Sequence, residues 1–437
     1  MADAPRGVTA PLSPAAAARL AAAQNALRAG DKARNKSELE AALRAAPGHP
    51  VTLNAMAVRL LGDGDTAQAV DLLTRAVVVD PRAPELWLNL AKAHRLRDAA
   101  ADERAALDQA LAIDRRHFAA RLRSAEWHER AGATGPAAAD WSAVLQLAAA
   151  LAPQEAARAE PLLTRARRAV ADWQGALALV LDADLASHRA QFAPAERRRF
   201  EACVDAALGR RRVYHNEPFG MHFPFLPAEE FFPRDMLPFL PDLERHAKAI
   251  REETMALLGE GGSGFAPYVA NPPGTPRDKW SELDHSTRWS ALYLYKYGAA
   301  DRAALERFPA TAAALATLPL ADMPGRAPTA FFSLLKAGTR IPPHTGVTNT
   351  RAIIHLPLVV PPGCGFRVGG ETREWREGEA FGFDDTIEHE AWNDSDQPRV
   401  VLILDVWNPY LTDAERRLLR AYFAAADASG LTPDPRD

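Results

Sequence analysis

Apolar positions recur at the spacing of amphipathic helices through the first part of the chain, from residue 14 to about residue 175. This stretch is rich in Ala, Leu, Arg and Glu, and its prolines stand at recurring boundaries, as expected for helices joined by short turns. Pro47 and Pro81 are 34 residues apart, as are Asp80 and Asp114, and this period is typical of stacked helix pairs. The pattern predicts an α-solenoid over residues 14–175.

The 34-residue period resembles that of the tetratricopeptide family. In such repeats small alanines allow helices to approach closely, while larger apolar residues fill the space between neighbouring pairs. The matching positions here are Leu53, Met56, Ala57, Ala69, Leu73, Ala76, Trp87, Leu90, Ala91, Leu107, Ala110, Ala125, Ala137 and Trp141. The alternative is an Ala-rich helical bundle without repeats. Because tetratricopeptide arrays hold peptides or partner proteins, the resemblance implies that the repeats hold a peptide or protein substrate.

The pattern changes beyond residue 175. Residues 176–218 are predicted as a helical linker, and a segment dense in Pro, Phe and Gly then marks the entry into a new domain. A helix is predicted in DLERHAKAIREETMALL. The segment GEGGSGFAPYVANPPGTPRDKWSELDHSTRW is loop-like, and its flexibility suits a lid or a substrate rim.

From Trp289 onward, short aromatic and β-branched runs end at Gly, Pro, Asp or Asn. The first two, WSALYLYKYG and TAFFSLLKAG, flank a helix predicted in RAALERFPATAAALATLP. The glycines of RVGGETREW predict a tight hairpin. This spacing is typical of a double-stranded β-helix, or jelly roll, in which two antiparallel sheets face each other. The predicted fold is therefore an α+β multidomain chain, with an N-terminal α-solenoid and a jelly roll over residues 219–425.

The last two predicted strands bring a histidine and an arginine together. With a turn centred near Asp394, an antiparallel hairpin would place His389 opposite Arg399, and opposite residues share a face of the sheet. A buried arginine is costly unless an anion meets it, and its planar fork suits a carboxylate. A dicarboxylate that also binds a metal would remove that cost. Alternatively, Arg399 reaches water or pairs with Asp394 or Asp396.

Composition and charge exclude several classes of protein. A length of 437 residues predicts two or three cores, and a net charge of −4 without long charged blocks argues against a nucleic-acid partner. The N-terminus lacks a signal-peptide pattern and no run approaches the ~18 apolar residues of a membrane span, so a cytoplasmic location is expected. Cys203 and Cys364 lack the spacing of a metal or redox motif and are expected as free thiols.

The segment from HTGVTNTR to DVWNP resembles the catalytic core of the aspartyl/asparaginyl β-hydroxylase family. Three motifs carry the likeness: HTGVTN at the first histidine, EGEAFGFDDTIEHEAWND around the second, and DVWNP at the end. Members of this family are Fe(II)- and 2-oxoglutarate-dependent oxygenases on a jelly roll, and animal members join that core to a tetratricopeptide region. The resemblance thus implies Fe(II), 2-oxoglutarate and molecular oxygen.

The resemblance assigns His344 and His389 as the two metal ligands. Gly346 stands where many iron oxygenases have a carboxylate ligand, but this family lacks that carboxylate and a solvent molecule takes its place. Direct binding by a neighbouring carboxylate is the alternative, although residues in such turns more often form caps and hydrogen bonds. The carboxylates in question are those of Asp384, Asp385 and Glu388.

The resemblance also assigns contacts to the cosubstrate. Arg399 matches the arginine that holds the distal carboxylate of 2-oxoglutarate, and Ser333 matches a serine at the same end. His355 matches a histidine near the cosubstrate, and Trp289 matches a tryptophan that lines its pocket.

Two departures from the family pattern affect the expected contacts. Ile353 stands where the animal enzymes carry an arginine near the cosubstrate, and Arg351, which shares its face of the strand, is the expected substitute. The cysteine pair that the animal enzymes carry between the tryptophan and the serine is missing. Substrates resembling epidermal-growth-factor domains are therefore not assumed.

The predicted function is that of a 2-oxoglutarate-dependent dioxygenase that β-hydroxylates Asp or Asn residues of a peptide or protein. A lipid acyl chain or a free amino acid is an alternative substrate. Two further alternatives are a non-catalytic tetratricopeptide adaptor with a degenerate jelly roll, and a cupin-type isomerase or dioxygenase that uses a metal without 2-oxoglutarate.

Overall fold

The computed structural model describes residues 11–431, and the chain divides into two compact units at Glu201. Helices form the first unit, and the last of them, α10, crosses the division. These helices are α1 (Pro14–Arg28), α2 (Lys32–Ala45), α3 (Pro50–Asp63), α4 (Thr66–Val79), α5 (Pro84–Arg95), α6 (Ala100–Ile113), α7 (Phe118–Arg130), α8 (Thr134–Ala148), α9 (Pro153–Arg189) and α10 (Pro194–Ala207).

The helices of the first unit pack in consecutive pairs, α1 on α2, α3 on α4, α5 on α6 and α7 on α8. The predicted repeat is confirmed, because α3 and α5 begin at Pro50 and Pro84, one 34-residue period apart. The small residues of the pattern are buried: Ala57, Ala69 and Ala76 have no exposed surface. Each pair therefore buries its apolar face against the next, as in tetratricopeptide arrays.

Two antiparallel sheets form the second unit. Its strands are β1 (Ala266–Pro267), β2 (Trp289–Lys296), β3 (Ala299–Ala300), β4 (Ala330–Leu335), β5 (Thr339–His344), β6 (Arg351–Val359), β7 (Cys364–Val368), β8 (Glu371–Glu374), β9 (Phe381–Phe383), β10 (His389–Asn393) and β11 (Arg399–Trp407). The larger sheet has the order β1-β2-β4-β11-β6-β9 with β3 beside β2, and the smaller has the order β5-β10-β7-β8. The jelly-roll prediction is confirmed.

Short helices cover the outer face of the larger sheet. They are α11 (Leu240–Arg245), α12 (Ala247–Gly259), α13 (Arg302–Arg307) and α14 (Pro309–Leu315), and α15 (Asp413–Ala428) follows the last strand. Alternate residues of the larger sheet, such as Phe332 and Leu402, pack with these helices in one buried cluster. Their neighbours on the strands, such as Leu335 and Val401, belong to a second cluster between the two sheets. The site residues lie among the second set.

Each of the two helices predicted in this unit is divided into two. DLERHAKAIREETMALL forms α11 and α12 on either side of His246. In the other, α13 ends before Phe308 and α14 begins at Pro309, because proline has no N–H to donate and disfavours helical geometry in the residue before it. The hairpin predicted in RVGGETREW is confirmed, with Val368 paired to Glu371.

The predicted hairpin of the last two strands is wrong. β10 pairs with β5 and β7, whereas β11 pairs with β4 and β6, so His389 and Arg399 belong to different sheets. The connection crosses from one sheet to the other, and the Asn393 side chain holds this crossing by donating to the backbone oxygens of Leu335 and Gln397, at 3.0 and 2.7 Å. Both residues nevertheless lie on the inner faces of their sheets.

Two further predictions concern the whole chain. Between residues 11 and 431, no helix combines the length and the apolar character that crossing a membrane requires. Cys203 and Cys364 are free thiols, as predicted.

Candidate active site

A cavity of about 370 Å³ opens between the inner faces of the two sheets. The structure brings all the predicted site residues to its walls. These residues are Trp289, Ser333, His344, Arg351, His355, His389 and Arg399.

The two histidines face each other across neighbouring strands. His344 ends β5 and His389 begins β10, the two are paired in register, and their ring centroids are 4.1 Å apart. The Nδ1 atoms lie 2.8 Å from the Pro342 oxygen and 3.0 Å from the Ile387 oxygen. Because a carbonyl oxygen only accepts, each Nδ1 carries the proton and each Nε2 keeps a lone pair.

Burial keeps both rings neutral. It lowers the pKa of His344 to about 4 and holds the pKa of His389 well below its usual value of 6.5. Neutral imidazoles are the form that binds divalent transition metals. The pair therefore fits a metal such as Fe(II), with each Nε2 as the donor atom.

Gly346 leaves space that a neighbouring carboxylate fills. A Cβ atom built on Gly346 would lie 2.0 Å from Oδ2 of Asp385. Asp385 lines the cavity, its Oδ1 is buried without a hydrogen-bond partner, and burial raises its pKa to about 7. A side chain at residue 346 and the observed position of Asp385 are thus mutually exclusive.

Asp384 and Glu388, the other two carboxylates considered as metal ligands, interact with groups of the protein. Asp384 accepts hydrogen bonds from the backbone and hydroxyl of Thr386, at 2.9 and 2.6 Å, and from Nδ2 of Asn216 at 2.7 Å. Glu388 forms an ion pair with Arg367 at 3.0 Å. Among residues 11–431, no group of three or more His, Cys, Asp or Glu side chains is arranged to hold a metal.

Arg399 carries a buried charge that lacks partners. Its side chain is 1% exposed, and Nε and Nη2 have no hydrogen-bond partner. Burial lowers its pKa to about 10, so the guanidinium remains charged at neutral pH. Asp394, considered above as a partner, instead pairs with Arg340. An uncompensated buried cation is costly, so this end of the cavity is suited to an anion.

The remaining cosubstrate candidates surround Arg399. Ser333 pairs in register with Val401, two residues beyond Arg399 and on the same face of the sheet. Trp289 Nε1 donates to Ser333 Oγ at 3.2 Å. His355 is buried with its Nδ1 unpartnered, and both desolvation and the nearby Arg399 charge hold its pKa well below 6.5.

Arg351 has a partner that the sequence did not reveal. Its Nη1 donates to Oδ2 of Asp405 at 2.5 Å, and Asp405 is 2% exposed. Arg351 and Ile353 both line the cavity. The predicted cosubstrate contact of Arg351 stays a prediction.

Aromatic residues that the motifs did not identify complete the walls. Tyr268 stacks on Trp289 with centroids 4.0 Å apart, and the edge of Trp280 meets His344 at 4.9 Å. Both come from the segment predicted as a rim. Trp375 is not a lining residue, but it stacks on His355 at 5.5 Å and has the Arg399 guanidinium 5.2 Å from its ring. The signal in the sequence that could have identified Tyr268 and Trp280 is the presence of aromatic residues within a loop rich in Gly and Pro.

Comparison with known proteins agrees with this geometry. Residues 244–409 match the family model described as aspartyl/asparaginyl beta-hydroxylase. The human protein of that name is 36% identical over 181 residues, which cover 41% of this chain and 22% of that protein. Human aspartate beta-hydroxylase domain-containing protein 1 is 34% identical over 219 residues, which cover 49% of this chain and 52% of that protein. The chain thus spans about half or less of these relatives' lengths.

The crystal structure of MamA aligns over 36% of this chain and 85% of that chain, at 18% identity and a TM-score of 0.31. The repeat architecture rests on the helix pairs themselves. In the second unit, the fold and cavity define a jelly-roll domain with a two-histidine site. Residues 244–409 of this domain are similar to the aspartyl/asparaginyl β-hydroxylase family.

Proposed function

We propose that this protein is an Fe(II)- and 2-oxoglutarate-dependent hydroxylase that acts on the β-carbon of Asp or Asn residues in a peptide or protein. One observation carries the proposal. A buried, incompletely partnered Arg399 shares a cavity with two neutral histidines whose Nδ1 atoms are already bonded. A dicarboxylate that binds a metal through one end and Arg399 through the other matches both ends of this cavity.

His344 and His389 would hold the iron through Nε2, and the backbone carbonyls of residues 342 and 387 fix the orientation of both rings. With both bound, iron and 2-oxoglutarate supply the oxidising chemistry, in which one oxygen atom of O₂ enters succinate and the other enters the product.

Arg399 and Ser333 would bind the distal carboxylate. The Ser333 hydroxyl accepts from Trp289, which leaves its own proton for the carboxylate. The surrounding aromatic rings limit the access of water, which strengthens the pairing between Arg399 and the cosubstrate.

The substrate class comes from the names of the relatives, aspartyl/asparaginyl beta-hydroxylase and aspartate beta-hydroxylase domain-containing protein 1. The helical repeats are proposed to hold the peptide or protein, as arrays of this kind do. A cytoplasmic location stays a prediction.

The full chain should be incubated with Fe(II), 2-oxoglutarate and a peptide library, with succinate and +16 Da products measured together. We expect succinate only when iron is present, and peptide products at Asp or Asn. Arg399→Ala should abolish both, whereas Arg340→Ala, an arginine already paired with Asp394, should not.

The alternatives give different results. Peptide binding without iron-dependent turnover would favour an adaptor. Iron-dependent oxidation that needs no 2-oxoglutarate would favour a cupin-type enzyme.

A further inference from the structure

A second set of charged side chains lines the cavity apart from Arg399. It comprises Lys296, Arg351, Asp385 and Asp405. The proposed contacts of iron and 2-oxoglutarate with His344, His389, Arg399 and Ser333 use none of them. They are therefore available to select the side chain that is hydroxylated, and for Arg351 this role is the alternative to the predicted cosubstrate contact.

The charges of this set balance. Arg351 pairs with Asp405, whose other oxygen accepts from the backbone N–H of Thr329 at 2.8 Å. The exposed ammonium of Lys296 lies 4.9 Å from the Tyr293 ring. Above about pH 7, where Asp385 is ionised, the set thus contains two cations and two carboxylates, and the apolar Ile353 adds no charge to this wall.

Two polar atoms in this set are buried without hydrogen-bond partners. One is a donor, Nε of Arg351, and the other is an acceptor, Oδ1 of Asp385. These two side chains are close enough to interact electrostatically. A ligand that satisfies both residues must accept from one and donate to the other. A carboxylate only accepts, whereas a primary amide does both.

We propose that the side chain placed for hydroxylation is an amide, so that asparagine is preferred over aspartate. This inference rests on the proposed function and narrows its substrate. The amide oxygen accepts from Arg351 and the amide NH₂ donates to Asp385. An aspartate would instead bring a third carboxylate beside Asp385 and Asp405. Among the described residues that line the cavity, the only cations besides Arg399 are Lys296 and Arg351, which already balance those two carboxylates.

Two synthetic peptide libraries test the preference directly. They are identical in their randomised flanks and differ only in a central Asn or a central Asp. With the full chain, Fe(II) and 2-oxoglutarate, we expect at least about tenfold more +16 Da product from the Asn library, a difference of about 1.4 kcal/mol. Equal yields, or a preference for Asp, would overturn the inference while leaving the proposed function intact.

Absence of product from both libraries would reject the peptide-hydroxylase proposal together with this inference. Binding provides an independent readout, because the amide contacts do not involve the metal. Without iron, fluorescence titration should show tighter binding of the Asn library, and equal binding would again contradict the inference.

Variants test the electrostatic basis. Ile353→Arg adds a cation to the wall, so it should raise the yield from the Asp library and reduce the Asn-to-Asp ratio at least threefold. Ile353→Leu is the matched control and should keep the ratio.

Asp385→Asn removes a like charge and should also move the ratio towards Asp. Because each protein is scored by a ratio, partial loss of activity does not obscure the result, and unchanged ratios in both charge variants would reject the inference.

Discussion

At the scale of single residues, Arg399 has the clearest energetic role. A guanidinium with 1% exposure and two nitrogens without hydrogen-bond partners in the protein costs free energy, and a bound carboxylate would offset that cost. The same pairing would link cosubstrate binding to stability, because ligand binding favours the folded state.

We expect Arg399→Ala to weaken 2-oxoglutarate binding by about 2 to 5 kcal/mol, the usual cost of truncating one partner of a buried charge pair. Iron binding should persist, since the imidazoles do not depend on Arg399 for their hydrogen bonds. Calorimetric titration of each ligand separates the two effects. Equal loss of iron and 2-oxoglutarate binding would show that the variant disrupts the whole cavity.

Gly346→Ala tests the packing around Asp385. The new Cβ would lie 2.0 Å from Oδ2, so the carboxylate must move, at an expected cost of about 1 to 3 kcal/mol in unfolding free energy. Gly62→Ala is the control, because no atom lies within 4 Å of its added Cβ. Denaturant unfolding measures both.

Adding Asp385→Ala to Gly346→Ala removes the clashing partner. The double variant should be more stable than the sum of the two single effects by about 0.5 kcal/mol or more. Strict additivity would mean that the two residues do not compete for the same space.

The sequence motifs identified residues that share the cavity, but they did not reveal which groups pair with one another. Arg351 was expected near the cosubstrate, yet its nearest partner is Asp405, which lies 54 positions further along the chain. Likewise, the contact between Gly346 and Asp385 depends on how two loops meet. Local sequence contains no signal for such long-range pairings.

At the scale of secondary-structure elements, alternation predicted which residues face inward, but not which strands pair. Inward and outward positions follow from a two-residue period, so His389 and Ala391 were correctly placed on one face. The partner strand depends on whether a short connection turns back within one sheet or crosses to the other. Between β10 and β11 the connection crosses, and the Asn393 side chain stabilises it by two hydrogen bonds to backbone oxygens. The two adjacent prolines of β5 lie in an edge strand, at the place where its register with β10 is irregular, so the lack of N–H groups falls where regular pairing is interrupted.

The turn before β10 should make stability depend on pH through Asp384. Burial raises the pKa of this carboxyl from 3.8 to about 6, so the folded state retains a proton that the unfolded state has lost. Its contribution to stability is therefore present below pH 3.8 and is lost as the pH rises towards 6. We expect Asp384→Asn to remove this component, on the order of 1 to 3 kcal/mol.

Denaturant unfolding between pH 4 and pH 6.5 measures the component as the difference between the two proteins. Asp385 contributes in the same direction up to about pH 7, and because the Asp384 charge helps to raise the pKa of Asp385, the difference also includes this coupling. Glu306→Gln, at an exposed position, serves as the control for the loss of one carboxylate. A parallel pH dependence in Asp384→Asn would contradict the assignment.

At the scale of the whole molecule, each unit has a buried core of its own. In the first unit Leu73 and Leu107 belong to one apolar cluster, and in the second Leu335 and Val401 belong to another. We therefore expect calorimetry of the full chain to show two unfolding transitions. Fe(II) and 2-oxoglutarate, added without oxygen, should raise only the transition of the unit that binds them.

The Ala57→Leu variant identifies which unfolding transition belongs to the helical repeats. Ala57 is fully buried at a repeat position, so the added atoms should cost about 1 to 3 kcal/mol and lower the transition that the ligands do not shift. Val78→Ala, at a side chain that is 76% exposed, should change neither transition. A single transition, or a downward shift of both by Ala57→Leu, would mean that the repeats and the jelly roll unfold as one cooperative structure.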